Sequence, residues 1–293
     1  MKKIPQDIVG TIAILKFKRS TPWIIKKIKA IIFIRKHKHV TTVLEKTSKI
    51  SGILRKQETK YLAGIKTKET IYKENNCIFR YNVDETYFSP RLSNERKIIA
   101  EEVIKEIKKK FKYLPNDEFN HNKKRLRVGR TRKENTRDLG GNNLIPKILV
   151  MFAGIAPYPI VISKTLKQNK MRALIYSNEL NEEANSYAKE NIKLNKLDNY
   201  VSILEGDANK IKTKEKFDII LMPRPNIEDT FLKSALKLSK QETKIFYHGF
   251  GTKESVLNEI KKDTKNKIKN LKIRKAGDIG PNIYRWNVEF EIK

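Results

Sequence analysis

The sequence predicts an α/β fold: a mostly parallel sheet closed by an antiparallel hairpin. Three observations predict it. Past residue 147, apolar runs of strand length alternate with stretches of helical spacing, which calls for parallel strands with helices on both faces. The last two apolar runs alternate with period two on either side of a Gly-Pro-Asn turn, the mark of a hairpin. The length of 293 residues allows one large or two modest domains, each with a real core.

Taken in order, TPWIIKKIKAIIFIRK reads as a basic amphipathic helix packed on a strand pair. The first strand of the parallel set runs from Ile148 to Phe152 and is followed by the turn AGIAPYP. A helix then spans about Tyr158 to Lys167, with proline near its start, where a missing N–H is tolerated. ALIYSNEL is the second strand, and NEEANSYAKENIKLNKL sets Ala184, Tyr187, Ala188, Ile192 and Leu194 at near-helical spacing. Strands YVSILEG and FDIILMP, helix EDTFLKSALKLS, strand TKIFYHGF and helix KESVLNEIKKDTKNKI continue the alternation. LKIRKAGDIG and NIYRWNVEFEI form the final hairpin.

The most apolar stretch, LVMFAGIAPYPIVIS, is too short for a membrane span. Sixteen residues separate Lys147 from Lys164, against the ~20 a spanning helix needs, and Pro157 and Pro159 would break that helix. The apolar run before Lys16 is likewise too short for a signal-peptide core. No membrane and a cytoplasmic setting are therefore expected. Cys77 is the single cysteine, so no intrachain disulfide and no clustered zinc ligands are expected.

Charge points to a partner. With 64 Lys and Arg against 33 Asp and Glu, the formal net charge is +31, far beyond what solubility requires, and nucleic acid is the leading polyanion. A lysine-rich coding bias is the other source of such a composition. Residues 1–40 carry 11 Lys or Arg against Asp7 alone, and residues 121–137 carry 8 against Glu134. Such blocks make binding steeply salt-dependent.

In parallel sheets the ligand site lies beyond the carboxyl ends of the strands, where the first strand-to-helix turn offers backbone N–H groups. AGIAP holds only Gly154 and no GxGxxG pattern, so a purely structural turn is an equal reading of it. Glu179, 25 residues after Gly154 at the end of the second strand, has the spacing of an acid that accepts from a ribose diol. Asp207 in EGDA follows the third strand, placed to accept from an adenine amino group. Met222-Pro223-Arg224-Pro225 ends the fourth as a rigid loop with free carbonyls.

YFSPRLSNER (residues 87–96), the loop MFAGIAPYP, the helix with ENIKLNKL, the EGDA turn and the MPRP loop together resemble the archaeal and eukaryotic-type tRNA (guanine-37-N1)-methyltransferase family. The resemblance runs from about Asp7 to Phe290, and ILRKQETKYLAG upstream shares it. It implies a class I, Rossmann-like methyltransferase domain using S-adenosylmethionine over residues 73–293, with a basic insertion at about 105–143. A small RNA-binding α/β domain at 1–72 would help grip the tRNA anticodon stem-loop. On matching positions it makes Glu95 the general base and Arg55 the arginine against guanine O6. Phe152, Ala153, Gly154, Glu179, Leu180, Asp207, Ala208 and Pro223 fall at the cofactor, and Tyr87, Arg91, Arg96 and Pro225 at the substrate.

Those residue types suit the chemistry. Guanine N1 carries a proton at neutral pH, so its methylation needs a base while negative charge moves toward O6. Glu95 is suited to take the proton, and the always-protonated fork of Arg55 to stabilise the charge. No covalent nucleophile or transition metal is required, and a magnesium requirement stays open. Tyr87, or Tyr158 beside the loop, has the aromatic face on which a target base would stack.

This chain departs from the family pattern in several places. It begins where the second domain of relatives begins, and the basic insertion is expected to replace the missing contact surface. Val150 and Ala156 stand where an acid and a second glycine are common. Pro223-Arg224-Pro225 replaces Asn-Leu-Pro, as in an archaeal subgroup some of whose members also methylate C7 of the wyosine precursor 4-demethylwyosine. A monomer is expected. A wyosine-pathway aminocarboxypropyltransferase on the same fold and a non-catalytic RNA-binding protein are the alternatives.

Overall fold

The computed structural model describes residues 5–48, 52, 54–111, 145–280 and 282–293. Most of the basic insertion, including residues 121–137, lies outside the described residues. The N-terminal unit is a four-stranded sheet in the order β1-β2-β3-β4. It comprises β1 (Gln6–Val9), β2 (Ile12–Leu15), β3 (Thr42–Lys46) and β4 (Thr59–Gly64). Helix α1 (Trp23–Lys36) connects the parallel pair β2 and β3. Gly10 turns the first hairpin at φ +54, and a side chain there would run into the carbonyl of Ile71, so only glycine fits.

A second hairpin follows, β5 (Glu69–Glu74) and β6 (Cys77–Asn82). Its two-residue turn is Asn75-Asn76, both at positive φ, the backbone that right-twisted hairpin strands favour and asparagine tolerates. The expected domain division at 72/73 thus falls inside a paired strand. Cys77, Phe79 and Tyr81 lie in one core cluster with the parallel sheet and its helices and also with Val9, Ile12, Ile14 and Leu44 of the N-terminal sheet, so the hairpin shares a core with both units. Cys77 itself is buried, and burial pushes its thiol up to about 12, which makes it inert as a nucleophile.

The main sheet has seven strands in the order β12-β13-β11-β10-β7-β8-β9. Along the chain these are β7 (Lys147–Val150), β8 (Leu174–Glu179), β9 (Val201–Glu205), β10 (Phe217–Met222), β11 (Ser239–Gly251), β12 (Ile268–Gly280) and β13 (Ile283–Ile292). The five from β7 to β11 are parallel, and β13 runs antiparallel between β11 and β12. The expected mixed sheet with a closing hairpin is therefore present; the hairpin's Pro281 lies outside the described residues. Helices α2 (Ser93–Lys110), α3 (Pro157–Gln168) and α4 (Glu182–Leu194) share one core cluster. Leu232, Ala235 and Leu238 of α5 (Leu232–Leu238) and Val256 and Ile260 of α6 (Lys253–Thr264) pack into a second. The chain leaves β7 toward β8 and β9, then returns to place β10 on its other side, so the switch point lies between β7 and β10.

Two boundaries differ from expectation for local reasons. The first strand stops at Val150 because Phe152 turns to φ 57. Helix α5 begins at Leu232 rather than near Glu228, because Asp229 Oδ1 accepts from the Phe231 N–H and Phe231 is left-handed, an Asx turn that competes with the helix. The motif ENIKLNKL has a structural use. Asn191 on α4 and Asn195 at its C-cap, one turn apart, each bond both the N–H and the carbonyl of a β6 residue, Arg80 and Ile78. They close a sheet edge that would otherwise leave buried polar groups unpaired. Among the described residues no helix is long and apolar enough to cross a membrane.

Candidate active site

The turn after β7 is wound tightly, with Phe152, Gly154 and Ala156 all at positive φ. Two are not glycine, so strain is concentrated in one loop, as it is at functional sites. Beside it, the Glu179 carboxylate accepts the N–H of Gly154 at 2.8 Å and that of Asn181 at 2.8 Å. Each oxygen keeps a lone pair for another donor. Burial raises the Glu179 carboxyl above its ordinary value, against the lowering effect of those N–H groups. Asn178 donates to the carbonyls of Leu204 and Gly206, which fixes the turn after β9. There Asp207 caps its own turn by accepting from the Asn209 N–H, and Ala208 is buried. Leu180 is exposed, and Phe152 stacks edge-on against Phe231. A side chain added at Gly206 would meet nothing within 4 Å, and at Gly154 only the Tyr87 carbonyl at 3.4 Å. The space above these turns is open, and a carboxylate with spare acceptors lines it.

That Tyr87 carbonyl joins the upstream motifs to the loop. Asn181 holds the Glu85 carbonyl at 2.8 Å, and the Arg55 guanidinium lies 4.7 Å from the centre of the Tyr87 ring. Arg55 is itself at positive φ, and its buried Nε lacks a hydrogen-bond partner.

Glu95 lies in the first turn of α2, 5% exposed. Arg274 of β12 grips both carboxylate oxygens, at 2.6 and 2.8 Å, and His248 Nε2 of β11 lies 3.4 Å from Oε1. Burial works to raise the Glu95 carboxyl, but His248 and Arg274 outweigh it and hold the group below its ordinary value. His248 is displaced downward, chiefly by its own burial. Tyr158, at the start of α3, stands edge-on to His248, and its buried hydroxyl has no partner.

Two of the expected substrate residues are held in ion pairs. Arg96 is 2% exposed and clamped on Glu74 through two nitrogens, with Nη2 also on the Ser89 carbonyl at 3.0 Å. It holds the SPR segment from beneath, because on α2 it points opposite to solvent, into the β5–β6 hairpin. Arg91 is exposed and pairs with Asp7. Pro223 and Pro225 are half-buried in the loop after β10, and Arg224 between them is buried. Arg224 donates to the Ile227 carbonyl at 2.8 Å and to Glu259 at 2.9 Å, so it pins the loop. His248, Arg274 and Arg224 were not singled out in the sequence. A lone histidine in a strand and arginines among so many cations carry no local signal. Among the described residues no group of three or more His, Cys, Asp or Glu is placed to hold a metal.

Residues 125–274 match the profile of the TRM5/TYW2 methyltransferase domain, more than half of the chain. The chain belongs to the TRM5/TYW2 methyltransferase family. It is 32% identical over 246 residues to the tRNA (guanine(37)-N(1))-methyltransferase Trm5b of Pyrococcus abyssi, a match covering 84% of this chain and 59% of the relative. It is 29% identical to the tRNA (guanine(37)-N(1))/4-demethylwyosine(37)-methyltransferase Taw22 of Nanoarchaeum equitans, over 96% of this chain and 97% of that one. The crystal structure of Trm5b from Pyrococcus abyssi superimposes with a TM-score of 0.72 at 26% identity, covering 99% of this chain and 75% of that one. The fold of this TRM5/TYW2 member is that of the S-adenosylmethionine-dependent methyltransferases.

We expect Glu179→Ala to weaken binding of S-adenosylhomocysteine by roughly 10²-fold or more, the worth of two hydrogen bonds to a charged acceptor, in a calorimetric titration. The raised Glu179 carboxyl adds a pH dependence. It protonates at a higher pH than an exposed glutamate, so affinity declines on acidification sooner than an ordinary carboxylate would make it.

Proposed function

We propose that this TRM5/TYW2 member methylates N1 of guanosine 37, beside the anticodon of tRNA, with S-adenosylmethionine as donor. The observation that carries this reading is the convergence on one loop of a leftover arginine donor, Arg55 through Tyr87, and a buried carboxylate, Glu95 through Tyr158 and His248. N1 methylation of guanine asks for that pair: a base for the N1 proton and a cation for the charge gathering at O6.

S-adenosylmethionine, when bound, supplies an electrophilic methyl group. In this reading Glu179 accepts from the ribose hydroxyls, Asp207 faces the adenine, and Phe152, Ala153, Gly154, Leu180, Ala208 and Pro223 complete the cleft. Tyr87 and Pro225 border the guanine. The basic surface, with the insertion at about 105–143, draws in the anticodon stem-loop by counterion release. The enzyme acts as a monomer in the cytoplasm.

A second activity is supported by the match to Taw22, whose name includes 4-demethylwyosine and which this chain matches along nearly its whole length. The tricyclic base derives from the same guanosine, so one positioned nucleoside would serve both reactions.

Arg55→Ala is expected to lower kcat/KM for methyl transfer by roughly 10²–10³-fold, the worth of one preorganised donor to a developing oxyanion. S-adenosylhomocysteine affinity should hold. A rate near that of the wild type would remove Arg55 from the site and the reading with it.

A further inference from the structure

Glu95 presents a difficulty as a base. Both of its oxygens are taken by one guanidinium, at 2.6 and 2.8 Å, and the carboxylate is 6% exposed. A carboxylate held at two points by arginine is stabilised as the anion, which opposes its taking a proton. The other groups facing it do not relieve this. His248 from β11 and Tyr158 from α3 lie beside it, with Arg96 of α2 and Arg285 of β13 contributing further positive charge.

Arg274 differs from its partner in exposure. Its side chain is 32% exposed, so it reaches from the protein surface inward to Glu95. It lies on β12, two residues after the exposed Lys272 and next to the exposed Lys275. The ladder with β13 is irregular on both sides of it, between Lys269 and Lys272 and between Lys275 and Gly277. Such irregularities bend a strand and interrupt its ladder locally. The arginine that holds the candidate base is therefore also part of a basic strand surface.

We infer that Arg274 is a positioning residue that locks Glu95 in the free protein and is drawn away by an RNA backbone phosphate, so that RNA binding releases the carboxylate. The inference rests on the reading of Glu95 as the base. The guanidinium exchanges carboxylate for phosphate and so stays paired, while the Glu95 carboxylate, left buried without that counter-ion, becomes a stronger base. The freed carboxylate then accepts the N1 proton of the guanine. Methylation of an RNA not seated against β12 is suppressed, because its base stays locked.

The test measures the dissociation constant for an in vitro transcribed tRNA with guanine after the anticodon. Glu95→Gln removes the anion that competes with phosphate for Arg274, and should tighten RNA binding by roughly tenfold, the worth of one charge-assisted pair. In the double variant Glu95→Gln/Arg274→Gln that gain should vanish. Wild-type affinity in Glu95→Gln, or a gain that persists without Arg274, overturns the lock. Arg274→Gln supplies a second readout, with circular dichroism confirming its fold. Without the guanidinium, burial dominates and the Glu95 carboxyl rises. The acid limb of kcat/KM, which reports the free enzyme, should then move to higher pH, whereas the limb of kcat, which reports the complex, stays in place. Both limbs moving together would mean that Arg274 stays paired through the reaction, and neither moving would make it merely structural. If no transcript is methylated, the proposed function fails, and the binding arms still decide whether the lock exists.

Discussion

Glu95→Gln should lower methyl transfer to a guanosine-37 transcript by roughly 10²–10⁴-fold, the usual worth of a positioned general base, with S-adenosylhomocysteine binding unchanged. Glutamine is nearly the same shape and keeps one oxygen for Arg274, so the first turn of α2 stays in place against β11 and β12. What disappears is the carboxylate that lies beside His248, Tyr158 and Arg274. Burial holds His248 below its ordinary value and raises the Tyr158 phenol, so one is a weaker base than usual and the other keeps its proton. Single-turnover transfer of labelled methyl measures the loss. A variant that keeps a tenth or more of the wild-type rate would assign the base elsewhere.

The second large effect is on stability. Arg96→Ala should cost about 3–5 kcal/mol, because it leaves the Glu74 carboxylate buried without its counter-ion. Arg96 also lies 4.9 Å over the Phe88 ring and holds the Ser89 carbonyl, so its loss frees the segment that carries Tyr87 toward the Gly154 turn. Urea denaturation followed by circular dichroism reads the change. The pair Arg96→Met/Glu74→Leu should recover much of it, since well-packed apolar side chains replace a buried ion pair at little cost. If Arg96→Ala is as stable as the wild type, Arg96 is free to face RNA as the sequence suggested.

Arg96 shows where sequence reading stops. Its neighbour Glu95 and the motif around it were legible because they lie in a run of contiguous residues, but the direction of a side chain on α2 depends on Glu74, 22 residues away on β5. The parallel sheet was legible almost strand by strand, since buried strands are written as apolar runs and the helices between them as periodic ones. Glu179 was legible for the same reason, because the end of β8 could be placed from the run ALIYSNEL and the structure brings its carboxylate to Gly154. The β5–β6 hairpin was not, because its turn is Asn75-Asn76 without glycine and its strands are charged on one side. The Glu95–Arg274 pair spans 179 residues. Long-range pairs of that kind leave no trace in local pattern, and among 64 Lys and Arg no single arginine stands out. The loop after β10 was read as a rigid wall of prolines, whereas much of its fixation comes from Arg224 and its bond to Glu259 on α6.

The most direct test is transfer of labelled methyl from S-adenosylmethionine to two tRNA transcripts, one with guanine and one with adenine after the anticodon, followed by nucleoside analysis. Base removal of an N1 proton with charge stabilised at O6 predicts 1-methylguanosine in the guanine transcript and no product in the adenine one, which has neither group. Equal methylation of both transcripts, or tight binding of both with no methyl transfer to either, would contradict it.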